Sequence, residues 1–85
     1  MESTVEEARR VFRECLDIIS DREIKYGQQW REENIEELFG NVSRKFKGVE
    51  YQFKNNGKVD LEFPVDLINY TIFFYLRMKS ENKGL

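Results

Sequence analysis

Val49-Glu50-Tyr51-Gln52-Phe53-Lys54-Asn55-Asn56-Gly57-Lys58-Val59-Asp60-Leu61-Glu62-Phe63 admits two readings, and the choice between them decides the fold. In one, Val49, Tyr51 and Phe53 alternate along a strand. An Asn55-Asn56-Gly57 turn then leads into a second strand through Val59, Leu61 and Phe63. In the other, the first half ends a helix that began far upstream. Ile35, Leu38, Val42, Phe46, Val49 and Phe53 are spaced 3-4-4-3-4, the period of one helix face. A lone hairpin on so small a protein is marginal. The spacing therefore predicts a helix over about 32–54, with Gly48 tolerated at a cost of about 1 kcal/mol. Asn55-Asn56-Gly57 is then its C-terminal cap.

Upstream, Val5, Ala8, Phe12, Cys15 and Ile19 follow 3-4-3-4 spacing, widened by Val11, Leu16 and Ile18. This predicts an amphipathic helix over about 4–25, capped by Ser3 or Thr4, with Glu6 and Glu7 suited to its first turn. Cys15 lies in the apolar stripe and reads as a small buried hydrophobe. Gly27 can end this helix in a left-handed conformation. Downstream, Pro64 fits the first turn of a third helix over about 64–80. That helix is apolar on nearly every side, through Val65, Leu67, Ile68, Ile72, Phe73, Phe74, Leu76 and Met78. A helix oily all round is buried on more than one side. The tail from Glu81 to Leu85 reads as a frayed end. The expectation is one all-α domain over 1–85, a three-helix bundle completed by homo-oligomerisation through the 64–80 helix.

Eighty-five residues give a modest core, and 14% of them are aromatic, seven being phenylalanine. Net charge is −2, from 14 basic and 16 acidic residues, which argues against a nucleic-acid partner. The chain has one cysteine and no histidine. Cys/His zinc sites, Ser/His/Asp triads and Cys/His dyads are thereby excluded. A metal here is a hard cation held by oxygen, magnesium or manganese. The start Met1-Glu2-Ser3-Thr4 is unlike a signal peptide, and no apolar run approaches membrane-spanning length. The reading is a soluble, cytoplasmic protein with no membrane partner.

Two stretches carry candidate chemistry. Glu32-Glu33-Asn34-Ile35-Glu36-Glu37 places four carboxylates in six residues. On a helix starting at 32, Glu32 and Glu36 fall one turn apart at the edge of the core. Asp66-Leu67-Ile68-Asn69-Tyr70 places an acid and an amide on one face of the oily third helix, where an unpaired polar group costs free energy to bury. If Glu32, Glu36 and Asp66 converge, they form an oxygen cage for magnesium, which would bridge phosphate oxygens and position a water. The plainer reading makes the four acids a charged first turn favoured by the helix dipole. Arg44, Lys45 and Lys47 are either a phosphate-binding wall or solvated charges. Trp30 either anchors the interhelical loop or stacks on a base.

These residues resemble the MazG-like all-α nucleoside triphosphate pyrophosphohydrolases. Glu32-Glu33-Asn34-Ile35-Glu36 matches their E-E-x-x-E motif, and Asp66 can stand for the Asp of their E-x-x-D motif. Lys25-Tyr26-Gly27-Gln28-Gln29-Trp30, Arg44-Lys45-Phe46-Lys47 and Asp66-Leu67-Ile68-Asn69-Tyr70 are closer to a small phage and prokaryotic branch, the nucleotide-modification-associated MazG-like domains. The resemblance covers roughly 23–78. It implies a dimeric or tetrameric all-α fold with magnesium between acidic helices. Glu32, Glu36 and Asp66 would be metal ligands, and Glu33 or Glu36 would orient the attacking water. Asn69, Lys45 and Trp30 would contact substrate. The chain departs from the motif at Phe63, where the family carries Glu, and one carboxylate fewer holds magnesium more weakly. The function expected is magnesium-dependent nucleotide binding, with pyrophosphohydrolysis of a (d)NTP as the implied activity. The rival is a non-catalytic, helical, homo-oligomeric interaction module.

Overall fold

The computed structural model describes residues 2–82; Lys83, Gly84 and Leu85 of the expected frayed tail lie outside the described residues. Within that span the chain is three helices and one short 3₁₀ turn, with no strand. Helix α1 runs Thr4–Tyr26, α2 runs Ile35–Asn56 and α3 runs Glu62–Glu81. The all-α expectation holds, and the hairpin alternative is excluded, since Val49 to Phe53 are helical.

The ends follow local chemistry. Ser3 caps α1, its hydroxyl accepting from the Glu6 N–H at 3.2 Å. Gly27 closes α1 at φ 72°, its N–H donating to the Glu23 carbonyl at 2.8 Å. Gly57 closes α2 in the left-handed region at φ 73°, as the Asn55-Asn56-Gly57 cap predicted.

Two boundaries differ from expectation. Helix α2 begins at Ile35, not near 32, because the Asn34 side chain accepts from the Glu36 N–H at 2.8 Å and caps the helix there. Glu32 and Glu33 therefore lie in the turn before α2, after the 3₁₀ turn Gln29–Arg31. Helix α3 begins two residues before Pro64. Pro64 is the third helical residue, still in the turn whose N–H groups have no intrahelical acceptor.

Helices α2 and α3 form an antiparallel helical hairpin. Phe39 meets Phe74 with ring centroids 5.9 Å apart near its open end. Lys45 faces Asp66 at mid-length. At Gly48 a Cβ would lie 3.4 Å from the Phe63 ring, an ordinary contact distance that marks where α3 crosses α2. Beside the connecting loop, the Asp60 N–H donates to Gln52 Oε1 at 2.9 Å. Helix α1 lies along α3 in the same direction. Its Glu14 to Ile18 stretch faces Leu61 to Asp66, and Arg22 faces Tyr70.

The interior is thin. Among the described residues, Cys15 at 0% and Leu38 at 1% exposure are the buried apolar side chains. The α1 stripe that should face a core is largely uncovered, with Val5 at 59% and Phe12 at 50% exposed, because α1 packs only lightly, chiefly along α3. The chain exposes 6985 Å², whereas a folded monomer of 10.3 kDa is expected to expose about 5,400 Å². Its radius of gyration is 14.6 Å, against about 12 Å for a compact domain of this length.

Candidate functional site

The end of α1, the 3₁₀ turn and the middle of α3 line a small, partly open cleft of about 40 Å³. Arg22 and Tyr26 come from α1, Trp30 from the turn, Glu33 from the approach to α2, and Tyr70 and Phe73 from α3. Gly27 sets the course of this wall: its positive φ turns the chain sharply after Tyr26 and brings Trp30 back over the helix end. The return is pinned from the far end of α3. Arg77 Nη1 donates to the Glu33 carbonyl at 2.6 Å and the Trp30 carbonyl at 3.2 Å.

Each of three aromatic rings in this cleft has a cation within 6 Å. The Arg22 guanidinium stands 5.7 Å from the Tyr70 ring centroid and 5.9 Å from that of Tyr26. The Lys45 ammonium lies 5.4 Å from the Tyr70 centroid, outside the residues that line the cleft. The Arg31 guanidinium covers Trp30 at 4.4 Å. Arg22 also reaches the Tyr70 hydroxyl at 3.5 Å. Such a wall offers π-faces for a planar group and positive charge for an anionic one. Glu23 and Glu33 put carboxylates on the same lining and keep the cleft from being uniformly positive.

The acidic residues singled out in the sequence are dispersed. Glu33 lines the aromatic cleft and accepts from Asn41 Nδ2 at 3.5 Å. Glu32 borders a shallow hollow with Gln29 and Glu33. Glu36 is exposed in the first turn of α2. Asp66 lies in a different cleft, between α1 and α3, with Glu14, Asp17 and Glu62. It is paired with Lys45 at 3.6 Å. Among the described residues no three Asp, Glu or Cys side chains are gathered so as to hold a metal ion. Glu32, Glu36 and Asp66 as placed in one chain therefore do not fit a magnesium cage, and no step through the metal is derived.

Asn69 is 3% exposed and lines neither cleft. Its Oδ1 is buried without a hydrogen-bond partner, the unpaired polar group the sequence warned of. Cys15 is buried too; burial first, and the Glu14 carboxylate second, push its thiol up from 9.0. The sequence gives Arg22 and Arg77 no role in the site. Arg22 lies on the wet face of α1 and Arg77 on the polar side of α3, and the contact of each is made across the fold, so no local pattern assigns it a role.

No family model, no curated protein and no solved structure matches this chain.

Proposed function

We propose that this chain binds a nucleotide across the open mouth of the cleft between α1, the 3₁₀ turn and α3. The observation that carries the reading is the clustering of aromatic faces and a cation on one cleft wall, Tyr26, Trp30 and Tyr70 with Arg22, and Lys45 against the Tyr70 ring. A base would stack on Trp30 or Tyr26, and the phosphates would lie toward Arg22 and Lys45. Of the three positions that the MazG-like resemblance gives to substrate, Trp30 lines this space and Lys45 stands against its Tyr70 ring. Pyrophosphohydrolysis of a (d)NTP is the activity the resemblance implies. Glu33 is the one acid of the E-E-x-x-E stretch that lines the cleft, so it is the residue to which water activation is assigned.

Calorimetric titration with the four dNTPs, with and without magnesium, tests this reading. Saturable binding that weakens in Arg22→Gln and Tyr70→Ala supports it. Binding that is equal with and without magnesium separates nucleotide recognition from a metal site. No heat with any dNTP in either condition overturns it.

A second reading, a helical homo-oligomeric interaction module, is favoured by a separate observation. The chain exposes roughly 1,600 Å² beyond what its mass calls for as a compact monomer. The two readings are compatible, because the cleft lies away from the most exposed apolar positions of α2.

A further inference from the structure

We propose that a second copy of this chain packs along α2, on the ridge formed by Phe39, Phe46 and Phe53, and that the two α2 helices run antiparallel. The inference rests on the homo-oligomer reading and names its surface. Helix α3 was the interface expected from its composition, yet most of its apolar residues are already half-covered within the chain. The three phenylalanines of α2 are not: they are 61%, 52% and 62% exposed.

Their spacing is seven residues, two helical turns, so the rings stand on one line. Val42 and Val49 fall between them and complete a 3-4-3-4 seam, the pattern by which one helix packs against another with interlocking side chains. The face of α2 that carries Leu38, Lys45 and Gln52 is turned to α3. The phenylalanine ridge is the neighbouring face, roughly a quarter turn round the helix at 100° per residue. It is thus free to take a partner without dismantling the α2–α3 hairpin.

The area is right for a dimer. A standard interface buries about 800 Å² per partner, and the excess surface of the whole chain, about 1,600 Å², is large enough to supply it. The direction follows from charge. With Phe46 opposite Phe46 of the second copy, Phe39 meets Phe53, and Glu36 falls opposite Asn56, two residues from Lys54 and about 3 Å along the axis, within reach of its long side chain. Glu36 and Lys54 lie on the same flank of the ridge, so the contact forms twice about the two-fold axis. Antiparallel helices also oppose their dipoles favourably.

The test uses the full chain. Light scattering at the highest soluble concentration should give twice the 10.3 kDa of one chain. Phe46→Glu should fall to the single-chain mass with its helical circular dichroism retained. In a Cys15→Ala background, Phe46→Cys should oxidise rapidly to a disulfide dimer. Phe39→Cys and Phe53→Cys should cross-link to each other when mixed, and poorly to themselves. Ile24→Cys, at an 83% exposed site on α1, is the control and should stay monomeric on the gel. A monomeric wild-type chain overturns both the oligomer reading and this surface. A dimer that ignores Phe46→Glu and cross-links at Ile24→Cys as fast as at Phe46→Cys keeps the oligomer and overturns the surface. Self-linking at Phe39→Cys overturns the antiparallel arrangement.

Discussion

Arg77, near the end of α3, holds the backbone carbonyl of Glu33, just before α2, at 2.6 Å. The two residues are 44 positions apart, and the same nitrogen also reaches the Trp30 carbonyl at 3.2 Å. One guanidinium thus ties the last turns of α3 to the segment that carries both the tryptophan and the acid of the cleft.

Removing that tie should loosen the cleft more than the helices. Hydrogen bonds from a charged donor are worth about 1.5–3 kcal/mol. Arg77→Met keeps the aliphatic stem and loses the donors. It should lower stability by about 2 kcal/mol and weaken nucleotide binding. Urea denaturation reads the first effect and calorimetry the second. Arg77→Lys should recover part of both, because it keeps one charged donor.

Gly48 and Gly57 should respond to alanine in opposite directions. Gly48 has helical neighbours, and an added Cβ meets the Phe63 ring at 3.4 Å, an ordinary contact. Gly48→Ala should therefore stabilise by up to about 1 kcal/mol through helix propensity. Gly57 sits at φ 73°, where an L-residue is strained. Gly57→Ala should destabilise by about 1 kcal/mol. Thermal melts of the two variants, run together, check the signs.

Cys15 should be inert in the native chain and reactive in urea. Its side chain is fully buried, and its thiol is raised above 9.0 by burial and by Glu14. A raised folded value means that the unfolded thiol loses its proton first. The stability tied to the neutral thiol is fully present below the unfolded value of about 8.5. It is lost as pH rises through the raised folded value. Stability measured across alkaline pH should fall in wild type and fall less in Cys15→Ala.

The helices were legible because their signals are local. The 3-4 spacing across Ile35 to Phe53 outweighed the alternation of Val49 to Phe63, and Gly27 and Gly57 marked real ends. The start of α2 was also written locally: Asn34 with Glu37 three residues on is a capping pattern, masked by reading all four acids as one helical turn. The cleft was only half legible. Trp30 and Glu33 drew notice by type, whereas Arg22, Tyr70 and Arg77 join it through contacts between residues more than 40 positions apart. The thin core was foreshadowed by the aromatic content, but its location was not. Composition pointed to α3, while packing left α2 and α1 uncovered.

Trp30 is the chain's one tryptophan and lies in the cleft wall, so its fluorescence reports on that space directly. The most direct test of nucleotide binding is a titration of each dNTP, with red-edge excitation, following Trp30 emission. The account predicts a saturable change for at least one dNTP, weakened in Arg22→Gln and absent in Tyr70→Ala while that variant keeps its helical dichroism. Emission that stays constant through the whole titration, with every dNTP and with magnesium present, would contradict it and leave the chain as an interaction module.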